Sequence, residues 1–159
     1  MSKVSNSLRG SKRVSAYLEE RGIQARVVIL DESTRTSQLA ADALGCTVAE
    51  IAKSIAFKAG EQAVVVVISG DRRVDAKKVS AHIGVKVGNA DADTVKELTG
   101  YAIGGVPPFP HDPAVKVLLD WSLTRFEKVW AAAGTPNSVM NLAVEQLKSI
   151  VGDFVDVAS

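Results

Sequence analysis

At 159 residues, with 47% apolar and 23% charged side chains, the chain has the length and balance of one folded domain rather than of a disordered or fibrous segment. A net charge of +1 argues against a partner such as long DNA while permitting a site that grips a few phosphates. The single cysteine excludes an internal disulfide and a thiol-rich metal site, and with no membrane-length apolar run or signal core a cytoplasmic protein without a membrane partner is expected.

Met1 to Ser11 is polar, so residues 1–10 are expected to form a frayed arm on a single domain spanning residues 1–159. Val14, Tyr17 and Leu18 recur at helical spacing before Gly22, which predicts a helix over 11–21, and Ile23 to Leu30 reads as a strand. After a polar turn over 31–35, Thr36 can cap a short helix ended by Gly45, and Thr47 and Glu50 have the spacing of a capping box. Cys46 follows the helix-stop glycine with no base near it in sequence, which fits a small, partly buried residue better than a nucleophile.

The next strand, over 53–57, is the informative one. Period two puts Lys53 on the face of Ile55 and Phe57. Either that face is buried and the ammonium enters the interior or the lip of a cavity, or Lys53 marks a strand end and snorkels into water. Gly60-Glu61-Gln62 turns the chain into a continuous Val/Ile run over 63–69, suited to a central strand covered on both faces. Asp75 can cap a helix bearing Lys77, Lys78 and Val79. With Arg72 and Arg73 those lysines form the densest basic cluster, which serves either as a phosphate grip or as a solvated face. Val85 to Gly88 reads as a short strand, and Asp91 or Asp93 starts a helix stopped by Gly100.

Gly100 to Pro110 joins freedom to stiffness. Gly104 and Gly105 allow positive φ, whereas Pro107, Pro108 and Pro110 fix φ and remove three donors. The amides that remain, at Gly104, Gly105, Val106 and Phe109, could cradle an oxygen-rich ligand; the alternative is a surface turn. Beyond it come a strand over 114–119 ending at Asp120, a hairpin around Gly134–Asn137, a helix through Val144, Leu147 and Ile150, and a short strand over 154–157. Asp120 is either a functional carboxylate or a turn cap. Interleaved short helices and hairpins predict an α+β fold with a mixed, largely antiparallel, barrel-like sheet surrounded by short helices.

These elements carry a resemblance to a known family. Thr36 with its alanine-rich helix, Ile51-Ala-Lys-Ser-Ile-Ala-Phe57, the 64–68 run, Gly70-Asp-Arg-Arg-Val-Asp75, Thr99-Gly-Tyr101, Gly104-Gly-Val-Pro-Pro-Phe109 and Val117-Leu-Leu-Asp120 occur in the order of the YbaK/prolyl-tRNA-synthetase-associated editing domains. The resemblance implies an aminoacyl-tRNA deacylase that hydrolyses the ester of a misacylated tRNA, such as tRNA for proline carrying alanine or cysteine. It further implies Lys53, Gly104 and Gly105 as the catalytic set, and Thr36, Ser54, Val106, Pro107, Pro108, Phe109 and Asp120 as substrate-binding residues. The expected partners are the acceptor end of an aminoacyl-tRNA and a synthetase, with no cofactor and no metal. A non-catalytic module of the same fold, binding an acceptor end or a synthetase, is the alternative; a small-molecule or nucleotide binder is a third class. Pro110 stands where many relatives have glycine, which bears on pocket shape.

Overall fold

A computed structural model describes residues 6–30 and 36–159 of the chain. The predicted polar turn over 31–35 and residues 1–5 of the N-terminal arm lie outside the described residues. Five helices, α1 (Asn6–Arg21), α2 (Ser37–Leu44), α3 (Ala76–Ile83), α4 (Ala92–Thr99) and α5 (Val144–Val151), surround eight strands. The strands are β1 (Arg26–Ile29), β2 (Ile51–Ala59), β3 (Gln62–Ser69), β4 (Gly88–Asn89), β5 (Lys116–Asp120), β6 (Lys128–Ala132), β7 (Ser138–Ala143) and β8 (Phe154–Val155). Among the described residues no helix is long and apolar enough to cross a membrane.

Local chemistry accounts for most boundaries. Thr36 Oγ1 accepts the Leu39 N–H at 3.1 Å and Gly45 ends α2 in the left-handed region. Asp75 and Asp91 cap α3 and α4 through the N–H groups of Lys77 and Thr94. The Glu50 carboxylate takes the Thr47 N–H and hydroxyl, starting a short 3-10 turn that feeds β2. Gly60-Glu61 forms a two-residue turn, and β2 and β3 pair from Ala59↔Gln62 to Ala52↔Ser69.

The sheet order is β1-β7-β6-β2-β3-β5-β8, with β4 also on β2. The β1–β7, β2–β3, β2–β4 and β6–β7 pairs are antiparallel; β2–β6, β3–β5 and β5–β8 are parallel. This is the expected mixed, mainly antiparallel sheet. β3 is central, and its alternate residues feed two cores. Val65 and Val67 join Leu119, Met140 and Leu142 beneath Val14 and Leu18 of α1, Val95 of α4 and Leu147 of α5. Val64, Val66 and Ile68 join Phe57 and Val79 of α3 on the other face. Each fully buried aliphatic side chain contributes about 1.5–3 kcal/mol, so this run is the fold's largest local apolar contribution.

Two expectations need correction. Helix α1 begins at Asn6, and Gly10, expected in a frayed arm, is buried where α1 crosses the β6–β7 turn. A side chain on Gly10 would overlap the Gly134 carbonyl, so glycine, a poor helix former, is retained for close backbone contact. The strand expected over 85–88 shrinks to Gly88–Asn89, because only that end reaches β2 while Val85 stays exposed.

The feature that positions the site lies on the outer edge of β2. That edge pairs with β6 at Ile51 and Ala52 and with β4 at Phe57 and Lys58. Among the described residues, 53–56 have no strand partner on that side. The tight turn makes Ala59–Gln62 a hydrogen-bonded pair, so alternate residues of β2 bond toward β3 and the main-chain groups of Ser54 and Ala56 face the parting.

Candidate active site

A cavity of about 520 Å³ opens over this parting, within the size range of small-molecule sites. Ile51 to Ile55 of β2 line one side, and Trp130 to Ala132 of β6 with Ser138 and Val139 of β7 line the other. Thr36 to Gln38 at the start of α2, and Ile103, Gly104 and Val106 from the glycine-proline loop, complete the rim. Lys53 and that loop therefore share one hollow.

Lys53 is half-buried at the cavity lip, where Nζ donates to the Gly70 carbonyl at 3.4 Å. Burial pushes its pKa below the ordinary 10.5, the nearby Arg73 charge pushes it further down, and Asp71 partly offsets both. Ile55, on the face expected to be buried, is 36% exposed at the mouth, whereas Phe57 lies in the core. Ser54 forms the opposite face of the strand. Its Oγ is shielded from solvent and has no hydrogen-bond partner among the described residues.

The loop is held from behind and open in front. The Gly105 N–H is spent on the Ala102 carbonyl at 2.9 Å, so this amide, expected in the cradle, is not available. Gly105 backs onto the β6–β7 turn, where an added Cβ would sit 2.7 Å from the Thr135 carbonyl carbon and 3.0 Å from the Pro136 nitrogen. The flanking N–H groups of Gly104 and Val106 make no hydrogen bond among the described residues, and both residues line the cavity. Gly105→Ala should consequently displace both flanking amides. Expected results are a loss of about 1–3 kcal/mol in denaturant unfolding and a larger fractional fall in kcat than in KM.

Two rings clasp the loop ends. The buried Tyr101 hydroxyl donates to the Pro110 carbonyl at 2.8 Å, and burial raises its pKa to about 12. His111 Nε2 lies 2.7 Å from the Pro107 carbonyl, which can only accept, so Nε2 carries the proton and Nδ1 is bare. Burial lowers the His111 pKa, and Nδ1 has no partner, which agrees with a neutral ring.

Several expected site residues lie elsewhere. Pro107, Pro108 and Phe109 are buried behind the loop, Phe109 against Tyr17 at 5.3 Å, and none lines this cavity. Pro110 likewise faces away, so its departure from the family pattern does not touch the wall. Asp120, 1% exposed, accepts the Ser122 N–H through Oδ2 at 2.8 Å and the Val157 N–H through Oδ1 at 2.9 Å. The structure thus favours its turn-cap reading and does not bring it to the cavity. Cys46 is half-buried with its thiol pKa raised by burial and then by Glu50, as expected of a residue that is not a nucleophile.

Residues not anticipated are Ile103 and the wall formed by Trp130 to Ala132 with Ser138 and Val139. The small side chains at Ala131-Ala-Ala-Gly134 were the available signal, since they leave room beside a strand. Chemically, the lining brings together the Lys53 ammonium and two residues, Gly104 and Val106, whose N–H groups are uncommitted among the described residues; donors of this kind stabilise developing negative charge.

Comparison with known proteins bears on what that array acts on. Residues 31–150 match the family model described as an aminoacyl-tRNA editing domain. A multifunctional Ser/Thr-tRNA deacylase, ProXp-y, of Escherichia coli (strain K12) is 29% identical over 129 residues, covering 77% of each chain. A proline–tRNA ligase of Lactobacillus helveticus is 32% identical over 108 residues, 67% of this chain but 19% of the ligase. A crystal structure described as that of a candidate trans-editing enzyme for prolyl tRNA synthetase superposes with a TM-score of 0.86 at 36% identity, covering 99% of both chains.

Proposed function

The chain belongs to the aminoacyl-tRNA editing domain family, and from that premise we propose that it is a trans-editing aminoacyl-tRNA deacylase whose chemistry takes place in the β2 cavity. The observation that carries the assignment of the site is that Lys53, Gly104 and Val106, the last two with N–H groups uncommitted among the described residues, line the same hollow.

In this reading, the ester carbonyl of the misplaced amino acid rests against the Gly104 and Val106 amides. Lys53 holds the terminal ribose or its phosphate, fixing the carbonyl relative to those donors. Water attacks the carbonyl carbon, the charge on the tetrahedral oxygen is stabilised by the amides, and the ester C–O bond breaks. The ribose oxygen leaves with a proton, and the freed amino acid departs as its carboxylate. Proton transfer is assigned to functional groups of the substrate, such as its amine or a ribose hydroxyl. Thr36 and Ser54 bind the amino acid and its nucleotide at the rim and the wall.

The first specificity proposed is alanine or cysteine attached to tRNA for proline, supported by the likeness to synthetase-associated domains. A second reading, serine or threonine, is supported by the likeness to the multifunctional Ser/Thr-tRNA deacylase ProXp-y. A deacylation panel of tRNAs mischarged with these four amino acids decides between the readings; absence of turnover on every member, under conditions where a known deacylase works, would sink the assignment.

Ser54→Ala separates a binding role from a structural one. Its hydroxyl makes no hydrogen bond among the described residues, so stability should stay within about 0.5 kcal/mol. KM for the preferred substrate should rise about fivefold, the value of one modest hydrogen bond. An unchanged KM would remove Ser54 from the site.

A further inference from the structure

We propose that His111 is a positioning residue for the deacylation: its neutral ring, donating to the Pro107 carbonyl, holds Val106 in place at the cavity, and a second proton on the ring releases that part of the loop. The proposal rests on the deacylase reading, because only in that reading does the placement of the Val106 N–H set a rate.

Two anchors bracket Val106. On one side the Gly105 N–H is taken by the Ala102 carbonyl at 2.9 Å, and Gly105 itself is wedged against Thr135 and Pro136. On the other side the Pro107 carbonyl takes the His111 Nε2–H at 2.7 Å. The rings of Pro107 and Pro108 fix φ on both sides of that carbonyl, so an anchor placed on it is passed back to Val106 with little slack. Val106 lines the cavity and its N–H is uncommitted among the described residues. His111 does not line that cavity; it borders the hollow behind the loop and therefore acts on the site only through the main chain.

The surroundings suit one protonation state. Nδ1 is shielded from solvent and has no partner among the described residues. Nε2 is already a donor, so a second proton has to go to Nδ1, which then becomes a buried donor without an acceptor. The charged side chain felt at the ring is a cation, Arg13 of α1, which lies over the Tyr101 ring at 4.9 Å and donates to the Thr99 carbonyl at 3.4 Å. Tyr101 meets His111 edge-on at 5.4 Å and spends its hydroxyl on the Pro110 carbonyl, so it offers an imidazolium no acceptor. Arg21, stacked on Tyr17 at 4.9 Å, borders the hollow behind the loop together with Lys116 and the exposed Asp112, two cations to one carboxylate. Burial lowers the His111 pKa below the ordinary 6.5; the Pro107 carbonyl opposes this and Arg13 adds to it. The clamp is accordingly closed at neutral pH, and acid opens it by making the ring leave its niche.

The test pairs His111→Gln, whose amide brings a donor near the place of Nε2 and does not titrate, with His111→Phe, which keeps a ring and loses the donor. Initial deacylation rates on one mischarged tRNA are followed from about pH 5 to 8, with thermal melts at each pH. At neutral pH His111→Phe should lower kcat about tenfold with KM within about twofold, and His111→Gln should recover most of that loss. As pH falls below 6.5, the ratio of the wild-type rate to the His111→Gln rate should drop about tenfold. Taking the ratio cancels the titration of the substrate and of Lys53, which both proteins share. Amide NMR of isotope-labelled protein without RNA gives a reading independent of turnover: the Val106 N–H resonance should titrate together with the His111 ring in the wild type and stay put in His111→Gln. A flat rate ratio, a folded His111→Phe enzyme with wild-type kcat, or a Val106 resonance indifferent to the His111 titration would overturn the proposal; if His111→Phe does not fold, the glutamine ratio and the resonance decide. Failure of the deacylase reading is distinguishable, because then no protein turns over while the coupled titration persists.

Discussion

Lys53→Ala is expected to lower kcat/KM for deacylation by about 10²–10³ without unfolding the protein. The ammonium sits on the cavity lip with one hydrogen bond, to the Gly70 carbonyl at 3.4 Å, so few protein contacts are lost with it. Its pKa is lowered by burial first and by Arg73 second, which means that the folded chain bears a cost for keeping the charge. The sign for stability follows. With a folded pKa below the unfolded one, that cost is present at neutral pH, where the amine is protonated in both states, and is relieved as pH rises through the folded pKa. Lys53→Met should then melt at the same temperature as wild type or higher, while its deacylation collapses. For activity the direction is opposite: the wild type should lose turnover as pH rises through the depressed lysine pKa, earlier than an ordinary lysine would. Lys53→Arg should not restore the rate, because a planar fork cannot occupy the place of a compact ammonium. Initial rates across pH, corrected for spontaneous ester hydrolysis, check both statements; a Lys53→Ala enzyme with wild-type kcat/KM would refute the role.

Asp120→Ala is expected to do the reverse, lowering stability by about 2–4 kcal/mol with little change in kcat/KM per folded molecule. Both carboxylate oxygens are committed to main-chain donors, one opening the 3-10 turn at Ser122 and one reaching Val157. Truncation strands two N–H groups, of which that of Val157 is buried away from water. Asp120→Asn keeps one oxygen acceptor and should retain part of the loss. Denaturant titration and initial rates on the same preparations make the comparison, and a large fall in kcat/KM with unchanged stability would return Asp120 to the site.

These two residues show what the sequence could and could not disclose. Lys53 was legible because a charge inside an apolar, period-two strand conflicts with its neighbours, and such conflicts mark sites. The caps at Thr36, Asp75 and Asp91 and the turn at Gly60-Glu61 were legible because their chemistry acts within four residues. The glycine-proline loop stood out as a candidate cradle beside a plain surface turn, but which of its amides the fold commits internally was not legible. Gly105 turns its N–H to Ala102 because it is wedged against Thr135 and Pro136, thirty positions along the chain. On the residues alone Asp120 read more readily as a cap, the resemblance made it a substrate-binding residue, and its second partner, Val157, was beyond any local pattern. The far wall of the cavity depends on the parallel pairing Ile51↔Trp130 and Ala52↔Ala131, a contact that no periodicity announces. The early start of α1 was hidden because Gly10 argues locally against a helix, and its reason, the packing on Gly134, is tertiary.

The parting between β6 and β4 along β2 has a consequence for inheritance. A hollow made where a sheet divides has peptide groups for part of its lining, and amino acid replacement leaves peptide groups in place. Mutation can then reshape the entrance, while the main-chain framework beneath it passes on intact. Lineages that have exchanged roughly two residues in three can still keep one backbone, as the 36% identity and TM-score of 0.86 illustrate.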